Sequence, residues 1–463
     1  MRGDKALTSV SKTGFYPRNR MKSAVFFFAA LTLSARLFAA AEWPEWRGPG
    51  AQGHSAATGL PSTWSASQNV AWKTELPGRA WSSPVIEGKM IWLTTALETL
   101  AKQEDAARRL KSNTGNQPLT VLEQVEFRAL GVDRETGRLT QNLPLLTVRE
   151  PQWVHQLNSY ASCTPVIEDG RLYCHFGALG NACLDTRTGK ILWTNTALVV
   201  QHENGPGSSP VLWRNLLIFH LDGSDQQFIA ALDKSTGQLA WKSPRSGAMN
   251  KDPQLRKSYG TPLILPLNGR EQIVSPASDW LYGYDEKGTE LWRVKYGQLG
   301  FSLTPRPVAG HGLIYLSTGF MKPQILALRH QGLAQPEIAW RYDKGAPTMP
   351  SPILVGNELY FVNDGGMLTC LDAVTGAEHY RERLGGNYSA SPTFADGKIY
   401  WHSREGITSV LKPGPALTVL AKNELPGKIF ASLAVADHAL YLRTDTALYR
   451  LEETPRKAAS RSN

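Results

Sequence analysis

Beyond its first 41 positions this 463-residue chain has no run of 18 or more apolar residues, so no membrane-spanning helix is expected in its body. Cysteine is scarce. Cys163, Cys174, Cys183 and Cys370 are too few for a disulfide scaffold. Cys174 and Cys183 could face each other across one hairpin, but buried strand cysteines acting as small hydrophobes are the favoured reading. The ten histidines never fall at His-x-His or His-x-x-x-His spacing, nor beside cysteine at zinc spacing. No Gly-x-Ser-x-Gly elbow and no P-loop is present. The stretch from Gly48 to Gly53 fits Gly-x-Gly-x-x-Gly only in spacing. It follows no strand, opens no helix and carries a proline, so a dinucleotide site is set aside.

A basic run is also missing, and the formal charge of +10 misleads. Residues 1–41 hold seven basic residues and one acid, leaving 43 basic against 39 acidic residues in the rest. Three of those positives sit in the terminal "PRKAASRSN". The body is nearly balanced and offers no surface for nucleic acid. Residues 1–41 read as an export signal. Lys22 follows a second methionine, Met21, which is the candidate true start; "SAVFFFAALTLSA" is the apolar region and "LFAAAE" the cleavage site. No cysteine follows to carry a lipid, so a periplasmic or secreted protein without a membrane span is expected.

What is abundant is glycine, with 41, proline, with 29, and tryptophan, with 14. They fall in a repeat. An anchor recurs as Ser-Ser-Pro-Val at 82–85, Cys-Thr-Pro-Val at 163–166 and Ser-Ser-Pro-Val at 208–211. It continues as Gly-Thr-Pro-Leu at 260–263, Pro-Arg-Pro-Val at 305–308, Pro-Ser-Pro-Ile at 350–353 and Ala-Ser-Pro-Thr at 390–393, with a worn Ala-Ser-Leu-Ala at 431–434. The steps are 81, 45, 52, 45, 45, 40 and 41 residues. After each anchor come a turn, an aromatic or aliphatic strand such as "DGKIYWHS" (396–403), and a unit such as "NACLDTRTGKILWTN" (181–195). Four short strands repeated eight times, without helical periodicity, specify an all-β, eight-bladed β-propeller of four-stranded antiparallel blades over 69–453. The last copy lacks its outer strand, and "NVAWKTEL" (69–76) resembles that strand, so closure by an N-terminal strand is expected. The 81-residue step marks an insertion in the first blade, 97–123, which is helix-prone and charged. Residues 42–68 form an N-terminal segment, and 454–463 read as a disordered basic tail.

The "CLD–TG–W" units resemble the pyrroloquinoline quinone (PQQ) propeller repeat, Ala-x-Asp-x-x-Thr-Gly-x-x-x-Trp. The match is full at Asp185, Thr188, Gly189 and Trp193, and at Asp233, Thr236, Gly237 and Trp241. It is partial at Asp285, Gly288 and Trp292, at Asp372, Thr375, Gly376 and Tyr380, and at Asp133, Thr136 and Gly137. "WPEWRGPGAQG" (43–53) and "LPGRAWSSPVI" (76–86) resemble an exported bacterial subfamily of PQQ-binding-like propellers, with a more distant likeness to BamB-like envelope scaffolds. The motif itself reads as structural: Asp and Thr close a turn, Gly takes positive φ, and Trp wedges between blades.

Beside small-molecule binding without turnover, two functions are expected, both drawing on the resemblance. One is a non-catalytic binding or scaffold protein of the cell envelope, a monomer that holds an envelope protein, a peptide or a glycan. The other is a PQQ- and calcium-dependent alcohol or sugar dehydrogenase. Against the second, no two cysteines are adjacent and no Cys-x-x-Cys-His site exists. In a meander, the fourth-to-first and second-to-third connections share one face, where a ligand is expected. That face gathers the candidates Arg79, Trp81, Asn158, Tyr160, His202, Asn204, Tyr259, Asp279, Trp280, Asn387 and Tyr388. His155, Lys257 and Phe301 stand among them; Asp222 and Asp364, each before a glycine, read as turn residues. No catalytic residue and no metal ligand emerges.

Overall fold

In the computed structural model, which describes residues 42–113 and 115–454, eight four-stranded antiparallel sheets follow one another along the chain. The export signal expected over 1–41 and nearly all of the basic tail lie outside the described residues. Each sheet is one blade, opened by one anchor. In seven blades the chain supplies all four strands in order. The eighth takes its outer strand from Val70–Glu75, which pairs antiparallel with Ala447–Glu452 in the register Lys73 to Tyr449 and Glu75 to Ala447. The ring thus closes without a free seam between first and last blade.

The repeated motif holds neighbouring blades together. In blade 2 the Asp185 carboxylate accepts from the backbone N–H of Arg187 and Thr188, both at 2.9 Å. Asp133, Asp233 and Asp372 close their turns in the same way. The tryptophan then crosses to the next blade. Trp193 donates its indole N–H to the Lys234 carbonyl at 3.0 Å, and Trp241 to that of Glu286 at 2.9 Å. Trp340 reaches Ala373, and Trp72, on the closing strand, reaches Arg134. Each ring lies on the glycine of the turn it meets. At Gly237, φ is +71°, and a Cβ there would come within 2.4 Å of Trp193. Glycine is needed for both conformation and space.

The 97–123 segment departs from a purely helix-prone insertion. Strands Met90–Leu100 and Leu122–Asp133 run on past the blade's normal length, pairing Leu97 with Glu126 and Leu100 with Leu122. The outer strand Leu139–Arg149 follows them, to Gln124 opposite Arg149. One amphipathic helix, Gln103–Leu110, caps the extended hairpin. Cross-strand pairing of alternating apolar residues (Val125, Phe127 and Ala129 are fully buried) overrides the local composition.

Cys174 lies opposite Ala182, and Cys183 opposite Tyr173, so the two cysteines sit on opposite faces of blade 2. All four cysteines are free and buried. Among the described residues no helix is long and apolar enough to cross a membrane.

Candidate functional site

The anchors line the axis, and their hydroxyls make a ring. The backbone N–H of Ser83 donates to Thr164 Oγ1 at 2.9 Å, that of Thr164 to Ser209 Oγ at 3.0 Å, and that of Ser209 to Thr261 Oγ1 at 2.9 Å. The chain resumes from Arg306 to Ser351, Ser391, Ser432 and back to Ser83, each at 2.9–3.0 Å. The step from Thr261 to the fifth blade has no such bond among the described residues, because Arg306 replaces the hydroxyl. Its guanidinium is buried and turns to the Pro262 carbonyl, the Glu45 carboxylate and the Trp46 carbonyl, at 2.9–3.0 Å.

That exception meets the N-terminal segment, which spans the end of the channel where the first and second strands of each blade are joined. Trp43 pairs with Ile86 of blade 1, and Ile167 of blade 2 donates to the Pro44 carbonyl. Arg47 donates to Pro352, His54 bonds the Leu354 carbonyl, and Gly53 accepts from Phe394. Trp43, Leu60 and Trp64 are buried in a core shared with blades 1, 7 and 8. This end of the propeller is sealed by the chain itself.

The other end is open. Around the axis a cavity of about 150 Å³ has Trp46 and the hydroxyls of Ser83, Thr164, Ser209 and Ser432 among its walls. Trp81 guards its mouth, stacked on Phe430 with centroids 4.3 Å apart and bonded to the Leu157 carbonyl at 3.0 Å. Beside it opens a cleft of about 370 Å³ over blades 2 to 6. Leu157, Asn158, Gly207, Thr304 and Met349 line both spaces. The cleft adds His155, Asn204, Gln254, Lys257, Tyr259, Phe301 and Phe320. Two short strand pairs frame it: Leu119–Thr120 with Val154–His155, and Gly300–Phe301 with Phe320–Met321. Burial, then the nearby Arg404 charge, holds His155 below its usual pKa, and among the described residues no carboxylate lines either space.

Of the expected residues, Trp81, Asn158, Asn204 and Tyr259 line these spaces. Asn158 holds the loop by donating to the carbonyls of Asn204 and Pro206, both at 2.9 Å. Arg79 lies 5.4 Å from the Trp81 ring and 3.8 Å from Glu98. Four others turn inward. Tyr160 is buried and donates to Gln152. His202 is buried, pushed down to about 3 by that burial, and accepts from the Ala178 N–H. Tyr388 is buried, and burial raises the Asp279 carboxyl to about 6. Trp280 bonds the Ala248 carbonyl, and Asn387 pairs with Glu405; neither lines these two spaces. Asp364 does close a turn, accepting from Thr348 and Met349. Asp222 does not serve only as a turn residue: its fully buried carboxylate takes a bidentate pair from Arg245 at 3.0 and 2.8 Å. Phe320, Met349 and Phe430 escaped sequence reasoning because they lie in connections that carry no repeated motif.

A family model described as outer membrane protein assembly factor BamB matches residues 182–334 and 277–413, together half of the chain. This chain belongs to the PQQ-repeat β-propeller family. No curated protein matches its sequence. Among solved structures, this propeller is similar to BamB from Moraxella catarrhalis at 12% identity and TM-score 0.49, covering 72% of this chain and 95% of that one. A europium-containing methanol dehydrogenase is similar at 10% identity and TM-score 0.48, covering 87% and 90%. The computationally designed protein Ika8 is similar at 12% identity and TM-score 0.48, covering 81% and 99%.

The dehydrogenase expectation includes PQQ with calcium, and the described residues of this PQQ-repeat propeller do not fit that metal. Calcium takes six to eight oxygen ligands, carboxylates prominent among them. Among the described residues no Asp or Glu lines either cavity, and no group of three or more His, Cys, Asp or Glu side chains is placed to hold a metal ion.

Proposed function

We propose that this PQQ-repeat propeller is a non-catalytic binding and scaffold protein of the cell envelope that holds a protein, peptide or glycan partner on its open face. One observation carries the reading: the two channel ends differ, one filled by residues 42–68 and the other left as an apolar cleft without a carboxylate. Exposed apolar side chains surround that cleft, Leu157 at 46% and Phe320 at 54% of full exposure. Such residues clustered at a rim, beside polar groups, suit an interface. The envelope setting draws on the export signal expected over 1–41 and on the description of the matching family model. The dehydrogenase alternative finds no carboxylate in either cavity to serve as base or metal ligand.

The test is affinity capture from the envelope with Leu157→Glu/Phe320→Glu, beside Val419→Glu on the outer strand of blade 7 as a folded control. The double variant loses the partner that wild type and control retain. Equal recovery by all three contradicts the assignment, as does dye-linked alcohol oxidation after loading with PQQ and Ca²⁺.

A further inference from the structure

Lys257 is the one lysine in the cleft wall, and it is only 1% exposed. Moving an ammonium out of water costs several kcal/mol unless its charge and its three N–H donors are met. Here Nζ meets one acceptor among the described residues, Gln254 Oε1 at 2.5 Å, and the Phe301 ring at 5.9 Å. The carboxylates that pull on it, Glu203 and Asp252, stand beyond the 4.0 Å of an ion pair. Arg245, equally buried, has the bidentate Asp222 against it. Arg245 thus has its counter-ion in contact, whereas Lys257 has carboxylates only beyond ion-pair distance and lines the cleft.

The walls narrow the anion. Phe301 and Phe320 meet edge to face at 5.8 Å, and with Tyr259, Leu157 and Met349 they make the lining mainly apolar. A volume of about 370 Å³ suits a body of one or two side chains, near the lower end for ligand pockets. A lone ammonium without an arginine fork matches a single carboxylate better than a phosphate, which usually recruits several donors.

We propose that the cleft is a binding site for an organic carboxylate, its acid group paired with Lys257 and its apolar body against Phe301, Phe320 and Tyr259. The site rests on the open face being the binding face, and it names what that face recognises. The anion has two sources, the C-terminal carboxyl of a polypeptide ending in an apolar residue or a free apolar acid.

Calorimetric titration of the purified protein with 3-phenylpropionate, acetyl-Ala-Ala-Phe and its C-terminal amide tests this. The acid probes bind, and the amide binds at least about tenfold more weakly, as expected for loss of one charged hydrogen bond. Lys257→Met brings the acids down to the level of the amide without lowering the unfolding temperature. Phe320→Ala weakens acid and amide alike. A stronger peptide acid assigns a polypeptide end, and a stronger phenylpropionate a free acid. Failure of both acids to bind at millimolar concentration, equal binding of acid and amide, or undiminished binding by a folded Lys257→Met overturns the site. Partner capture that still depends on Leu157 and Phe320 would then show that the carboxylate assignment failed while the binding face stood.

Discussion

Two buried cations, Arg306 at the sealed end of the channel and Lys257 at the open end, are met in different ways. At the sealed end Arg306 displaces one hydroxyl from the ring, and the N-terminal segment answers it with Glu45 and the Trp46 carbonyl. At the open end Lys257 sits under an aromatic rim with one acceptor among the described residues. A cation met by its own chain belongs to the structure, whereas a cation left short beside a cleft is free to serve a ligand. Burial alone does not separate the two, since both side chains are almost wholly out of water.

That contrast can be broken at several points. Arg306→Met strands the Glu45 carboxylate and uncouples the segment from the axis. It should cost about 3 kcal/mol in denaturant unfolding, as loss of one partner of a buried pair does. A cost near zero would mean that the segment does not seal the channel. Ser391→Ala removes one link of the ring and leaves the Ser351 N–H buried without an acceptor, for about 1–2 kcal/mol. The same experiment on Lys257→Met sharpens the comparison, because deleting an under-partnered ammonium should leave stability unchanged or slightly raised.

A small, pH-dependent effect belongs to Asp279. Its folded carboxyl, raised to about 6 by burial, lies above the value of about 4 in the unfolded chain. Ionisation is thus harder in the fold, and the stability present below pH 4 is lost as pH rises through 6. Asp279→Asn has no such loss. It should gain up to about 1 kcal/mol over wild type between pH 4 and 6, after allowance for Lys295 and solvent, and hold that gain above pH 6. Equal stability curves for the two proteins would refute the shift.

Blade number and strand order were legible because the anchor recurs at steps near 45 residues, and the Asp, Thr, Gly and Trp between anchors each have a local or next-blade task. The course of residues 42–68 was not. Its bonds join positions some 300 residues apart, such as Arg47 to Pro352, and no period announces them. The hydroxyl ring was visible as an anchor but not as a hydrogen-bonded circuit, since Ser and Thr before proline suit many turns. The face of the site could be derived from meander topology. Its membership could not, because side chains in connections point in or out by packing: Tyr160 and His202 went into the fold, while Phe320 and Met349 came to the cleft.

A photo-crosslinking residue placed at Phe320 on the open face, and separately at Asn357, in the exposed turn between the first two strands of blade 6 on the sealed face, in protein made by living cells tests the difference between the ends most directly. The account predicts a discrete adduct from Phe320, lost in Leu157→Glu, and none from Asn357. An adduct from Asn357 alone, or from both positions equally, would contradict it.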